Sequence, residues 1–173
     1  MLFRSTQIDY ENLKKVGAMM GSGGLVVMDE TTCMVDVAKY FMTFIQSESC
    51  GKCIPCREGT KRLLEILERL TQSYRSEKSP DEALLRFQGM VYLERLSEVI
   101  QNTSLCGLGQ TASTPVMSTL RYFRDEYEAH LYDRKCPSGH CRELLTYHID
   151  TDKCTGCTVC ARKCPQAAIL GEK

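Results

Sequence analysis

A chain of 173 residues with 22 basic and 22 acidic side chains has no net charge to draw it onto a phosphate backbone or an anionic lipid surface. Its 11 cysteines are many for that length, yet the opening MLFRSTQIDY holds no apolar stretch of signal-peptide type, and the longest apolar runs, such as Leu25-Val26-Val27-Met28, are far too short to cross a membrane. A membrane is thereby set aside as a partner, and so is nucleic acid, since neutrality alone does not exclude it but no aromatic-plus-basic stripe supports it. The cysteines are expected to serve metal or redox chemistry in a reducing cytoplasm rather than a disulfide framework.

The first element is an amphipathic stretch, Tyr10-Glu11-Asn12-Leu13-Lys14-Lys15-Val16, followed by Gly17-Ala18-Met19-Met20-Gly21-Ser22-Gly23-Gly24 and a β-branched run, Leu25-Val26-Val27-Met28-Asp29. The glycines precede a strand-like run and do not open a helix, so they read as a turn and not as a dinucleotide cradle. Residues 1–32 are too few to bury a core of their own and read as the end of a larger domain. From Thr31 or Thr32, either of which is a fair N-cap, the pattern turns helical, with Val35, Ala38, Phe41, Met42 and Ile45 three and four apart. A second helix is expected from about Arg57 to Ser73 on the stripe Leu63, Leu64, Ile66, Leu67 and Leu70, and Gln72 to Asp81 reads as a loop. A third helix is expected from about Asp81 to Ile100, with an interruption near Gly89, and a fourth from about Thr114 to Leu131.

Four amphipathic helices predict a mainly α fold, an antiparallel four-helix bundle over residues 33–131. That topology brings together cysteines that lie far apart in sequence. Cys50-x2-Cys53-x2-Cys56 follows the first helix, and Cys106, in Ser104-Leu105-Cys106-Gly107-Leu108-Gly109, follows the third; in an up-and-down bundle those loops share one end. Gly51, Gly107 and Gly109 allow tight turns and backbone N–H approach to sulfur. Spacing alone leaves open an iron–sulfur cluster or a four-cysteine zinc site.

Residues 132–149 read as a linker and residues 150–173 as a small α+β module. Its run Cys154-x2-Cys157-x2-Cys160-x3-Cys164-Pro165 has the bacterial ferredoxin spacing for cubane clusters, with Tyr147-His148-Ile149-Asp150 as the incoming strand and Val159 to Lys163 as a short helix. In two-cluster ferredoxins the fourth cysteine of a run serves the other cluster, whose own run does not appear in this sequence. Cys164 therefore completes the set with Cys154, Cys157 and Cys160, or an outside ligand does, or the module stays empty. Outside both runs, Cys33 begins the first helix and His130 ends the fourth, so the two meet at the face opposite the Cys50 loop; with Cys136 and Cys141 they make a candidate tetrahedral zinc site. His140 and His148 compete for the nitrogen position. The alternative is that Cys33 is a small core residue and His130 a helix C-terminal residue interacting with the dipole.

The string Glu48-Ser49-Cys50-Gly51-Lys52-Cys53-Ile54-Pro55-Cys56-Arg57-Glu58-Gly59, with Ser104-Leu105-Cys106 downstream, resembles the cluster-binding helical domain of the flavin-bearing subunit of respiratory complex I. The added ferredoxin run is similar to the flavoprotein subunits of multimeric, often electron-bifurcating [FeFe]-hydrogenases and related NAD(P)-linked dehydrogenases. The resemblance implies that Cys50, Cys53, Cys56 and Cys106 bind one [4Fe–4S] cluster, that residues 1–32 end a β-grasp domain, and that FMN and NAD(P) belong to an upstream part, so that this chain alone does not oxidise NADH. It also implies two kinds of partner, a hydrogenase or dehydrogenase catalytic iron–sulfur subunit and a thioredoxin-like [2Fe–2S] subunit. The expected function is an electron relay between flavin and clusters; a zinc-bound docking module and a cluster-based redox sensor are the alternatives. No acid–base or nucleophile constellation is visible, and no catalytic residue is expected.

Overall fold

The computed structural model describes residues 6–15, 20–24, 26–73 and 79–169. The chain is mainly helical: α1 (Tyr10–Lys15), α2 (Met34–Glu48), α3 (Ile54–Thr71), α4 (Pro80–Thr103), α5 (Gly107–Thr111), α6 (Thr114–Tyr122), α7 (Arg124–Glu128) and α8 (Val159–Lys163), with a π turn at Ala129–Asp133 and a 3-10 turn at Arg142–Leu144. The short connection 49–53 folds α3 back onto α2, and α3 packs in turn on α4, while α6 lies against both α2 and α4.

Each long helix is built from an apolar stripe turned to one shared core. Val35, Ala38 and Met42 of α2, Leu63, Leu67 and Leu70 of α3, and Leu93 and Ile100 of α4 are buried there with Val116, Leu120, Tyr127 and Leu131. Cys33, Cys136, Cys141 and Leu144 belong to the same core, so the segment after the last helical turn is packed in rather than trailing away. Arg86, itself buried, donates from its guanidinium to the Leu131 carbonyl, and the Tyr127 hydroxyl bonds Thr119 Oγ1 at 2.8 Å. These bonds pair polar groups that the apolar stripes would otherwise strand.

Several boundaries differ from the sequence reading for identifiable reasons. Thr31 is occupied upstream, its N–H and hydroxyl both donating to Asp29 Oδ1, so Cys33 becomes the N-cap of α2. Helix α3 starts at Ile54 because Pro55 is pre-set for a first turn, which draws Cys56 into the helix. Helix α4 runs unbroken through Gly89, where the missing side chain lets α3 approach: a Cβ there would lie 2.8 Å from Ile66 Cγ2. The fourth expected helix is divided, since Phe123, at φ −131° and ψ 40°, breaks α6 from α7 before the π turn begins. Among the described residues no strand forms. Residues 26–29 and 147–150, expected as strands, lack a ladder partner, and Val27 and Tyr147 stand 84% and 88% exposed; Leu25 lies outside the described residues.

Candidate metal centres

At the start of α2 the structure brings Cys33, His130, Cys136 and Cys141 together. All four are buried, and their ligand atoms lie within 4.8 Å of one another. Cys33 Sγ is 3.4 Å from His130 Nε2 and 3.7 Å from Cys141 Sγ, and Cys141 Sγ is 3.5 Å from His130 Nε2. The ring is oriented from its other side: Nδ1 stands 2.7 Å from the Glu126 carbonyl, which can only accept, so Nδ1 carries a proton and Nε2 faces the sulfurs. His140 and His148 take no part. His140 Nε2 faces Asp36 at 3.3 Å, and His148 is exposed.

The four side chains strongly perturb one another. The hydrogen bond from the Cys141 thiol, with the His130 ring, holds Cys33 down to about 4 against the opposing effect of burial. Burial disfavours charge on His130, but the adjoining Cys33 thiolate outweighs it and raises the ring to about 9. Cys141, which donates to that thiolate, is pushed well above the usual thiol range by that bond and then by burial. At Cys136 the cost of burial is overcome by the Ser138 hydroxyl at 3.3 Å and by the Cys141 N–H, and the thiol is lowered.

The other cysteine set lies beyond the opposite end of α2, a helix about 22 Å long at 1.5 Å per residue, and unlike the Cys33 group it does not bring its ligand atoms to single-ion distance of one another. Cys53 N-caps α3, Cys56 sits buried in its first turn, and Cys106 N-caps α5 at the end of α4. The two loops meet at Cys53, whose thiol is lowered first by the Leu105 backbone N–H and then by that of Cys56. Behind them the packing is close: a Cβ on Gly109 would lie 2.5 Å from Ser104 Cβ and 3.3 Å from Cys56 Cβ. Ser49 Oγ stands 3.4 Å from Cys56 Sγ and accepts from Gly51 N–H. Cys50 and Cys106 are exposed.

Comparison with known proteins places this loop pair in a family. The NADH-ubiquinone oxidoreductase-F iron–sulfur binding region matches residues 36–130, which include Cys50, Cys53, Cys56 and Cys106. The chain belongs to that family. A 4Fe-4S binding domain matches residues 147–170, the segment with Cys154, Cys157, Cys160 and Cys164. The NADP-reducing hydrogenase subunit HndC of Solidesulfovibrio fructosivorans is 52% identical over 96% of this chain and 32% of its own length. The NADH-quinone oxidoreductase F subunit of Mycobacterium bovis is 42% identical and that of Streptomyces coelicolor 38%, each over 75% of this chain and 27% of the relative. The chain thus spans about a third or less of the length of these curated relatives.

The family match begins at Asp36 and ends at His130, leaving Cys33, Cys136 and Cys141 outside it. In the tail, Cys154, Cys157 and Cys160 are exposed and Cys164 is half-buried. The Val159 N–H lowers Cys157, and the Ala168 and Gln166 N–H groups lower Cys164, so backbone amides already face two of the sulfurs. Glu126 is a residue beside this Cys33 group that the sequence does not single out. Its carboxylate accepts from Met34 N–H at 2.9 Å, satisfying the α2 terminus that Cys33 leaves uncapped, while its carbonyl holds the His130 ring. One residue of α7 thereby fixes both the start of α2 beside Cys33 and the His130 ring. A lone Glu in an acidic helix carries no local signal of that role.

Proposed function

We propose that this chain is the electron-relay part of an NAD(P)-linked oxidoreductase, with Cys50, Cys53, Cys56 and Cys106 holding a [4Fe–4S] cluster. The observation that carries this is the close packing of α5 on the first turn of α3, where a Cβ on Gly109 would lie 3.3 Å from Cys56 Cβ, within the matched family region 36–130. The site suits a cluster. It offers Cys50 in the loop, Cys53 at the N-cap and Cys56 in the first turn of α3, Cys106 at the N-cap of α5, and a glycine in α5 where a side chain would intrude on Cys56. Such a cluster supplies one-electron chemistry when bound. The chain's own residues set burial, orientation and hydrogen bonding around it.

Cys154, Cys157, Cys160 and Cys164 are proposed to hold a second, ferredoxin-type [4Fe–4S] cluster in the tail, residues 150–173. The match of the tail to a 4Fe-4S binding domain and the amides facing Cys157 and Cys164 support this. Residues 33–131 would form the cluster-binding bundle, residues 1–32 the end of a β-grasp domain, and residues 132–149 the joint.

At that joint Cys33, His130, Cys136 and Cys141 are proposed to hold structural zinc. A zinc tetrahedron with Zn–S near 2.3 Å and Zn–N near 2.0–2.1 Å has S–S edges of about 3.8 Å and S–N edges of about 3.6 Å. The separations of 3.7, 3.5 and 3.4 Å among Cys33, Cys141 and His130 lie close to both. Zinc carries no electron, so its part would be to tie the tail to the helical core.

The pairing of this helical region with a ferredoxin-type tail favours a hydrogenase flavoprotein subunit, of the bifurcating kind, over a complex I subunit. FMN and NAD(P) would bind upstream, and the partners would be a catalytic iron–sulfur subunit and a thioredoxin-like [2Fe–2S] subunit. The relay reading is tested by Cys106→Ser in anaerobically purified protein: iron and acid-labile sulfide should each fall by about four per chain, as expected for one cubane, with zinc unchanged. If iron and sulfide are untouched, the assignment is wrong.

A further inference from the structure

We infer that Cys56 is the ligand through which the chain sets the potential of its helical-region cluster, with the Ser49 and Ser104 hydroxyls as the two donors. The inference rests on the cluster assignment above. Ser49 Oγ is 3.4 Å from Cys56 Sγ, and its oxygen also accepts from Gly51 N–H at 3.4 Å. In the metal-free chain either partner could supply the proton between Ser49 and Cys56. A ligating thiolate has no proton to give, so Ser49 must then donate.

Ser104 approaches from the other loop. It is buried, and its Oγ has no hydrogen-bond partner among the described residues, which is costly for a hydroxyl shielded from water. Ser104 Oγ lies 2.7 Å, and Cys56 Cβ 3.3 Å, from one point, the position that a Cβ on Gly109 would occupy. Both border the space that the absent side chain leaves open; the Ser104 hydroxyl makes no hydrogen bond to Cys56 Sγ in the thiol form, and is assigned as the donor that turns to the sulfur once Cys56 is a ligating thiolate. Cys50 and Cys106 are exposed, and Cys53 is met by backbone N–H groups of Leu105 and Cys56, so Cys56 is the ligand whose facing donors are side-chain hydroxyls.

A hydrogen bond donated to a ligand sulfur stabilises the more negative, reduced state more than the oxidised one, and so raises the reduction potential. Neither serine ligates iron, so each acts as a positioning residue through Cys56. The test is a redox titration, followed by electron paramagnetic resonance, on the full chain with its cluster loaded. Ser49→Ala should leave iron and sulfide content unchanged and shift the one-electron equilibrium about tenfold toward the oxidised form, a fall of about 59 mV. Ser49→Thr, which keeps the hydroxyl, should restore the wild-type potential, and Ser104→Ala should shift it in the same direction as Ser49→Ala.

A readout on unmutated protein keeps the inference open to failure if the alanine variants load poorly. Wild-type protein exchanged into D2O should lose proton hyperfine couplings assignable to exchangeable hydroxyls near the cluster. A loaded cluster whose potential is unmoved in both variants, or the lack of any such coupling in wild type, overturns the inference and leaves the cluster assignment standing. Wild-type protein without iron and sulfide overturns the assignment itself.

Discussion

The two CxxCxxC runs share one spacing and have opposite surroundings. Around Cys50, Cys53 and Cys56, the fourth cysteine, a facing amide and a close-packed glycine all arrive from the end of α4 and the start of α5. Around Cys154, Cys157 and Cys160 the help is local, from Val159, Gln166 and Ala168, and no described residue from 145 onward is buried. Spacing therefore specifies only the ligands that one loop can carry; what completes and shields a centre comes from tertiary packing. The Cys33 group is the extreme case, since the four residues proposed as zinc ligands come from the start of α2, a π turn and two points of the following loop.

The largest expected effect follows from that extreme case. For a structural zinc site, binding free energy is folding free energy, on the order of 10–16 kcal/mol in small zinc domains. Cys141→Ala should therefore abolish zinc binding and sharply lower the unfolding temperature, as read by metal analysis and thermal melts. Zinc must also displace protons here. His130 is raised to about 9 and Cys141 lies higher, so both are protonated at neutral pH, and loading should release about two protons, with affinity falling as pH drops. Calorimetry in buffers of different ionisation heat measures this; no proton release would contradict the ligand set.

Gly109→Ala should come next. The added methyl meets Ser104 Cβ and Cys56 Cβ, two carbons fixed directly to the backbone, so the cost should be about 1–3 kcal/mol. Signals of the helical-region cluster should weaken while those of the tail persist. Equal loss of both would erase the contrast between the two runs.

Glu126→Ala bears on the same contrast at the joint. With the α2 terminus uncapped and Cys33 less firmly held, zinc affinity should fall about 10–100-fold in chelator competition, the usual range for a residue that orients ligands. Unchanged affinity would mean that the carboxylate serves the helix alone. Cys157→Ala should have the smallest effect on stability, within about 0.5 kcal/mol, because it removes an exposed side chain. It should bleach only the tail cluster.

The helical stripes were legible because burial of one face enforces a 3.6-residue period, and α8 was legible from the ferredoxin spacing. The grouping of Cys33 with His130 followed from topology alone, since antiparallel helices return the end of one to the start of another. What escaped the sequence was set by contacts with no local signature. The Asp29 turn moves the cap of α2 from Thr31 or Thr32 to Cys33, Phe123 breaks the fourth helix, and Ile66 gives Gly89 its reason. Glu126, Ser49 and Ser104 are ordinary polar residues until packing sets them beside a sulfur or the end of a helix.

Two kinds of metal centre, one redox and one structural, are thus assigned to opposite ends of α2. Iron, acid-labile sulfide and zinc per chain, measured on anaerobically purified protein, decide whether both exist. One zinc with about eight iron and eight sulfide is expected when both clusters are loaded, or about four of each with the tail empty. Zinc without iron or sulfide would contradict the assignment.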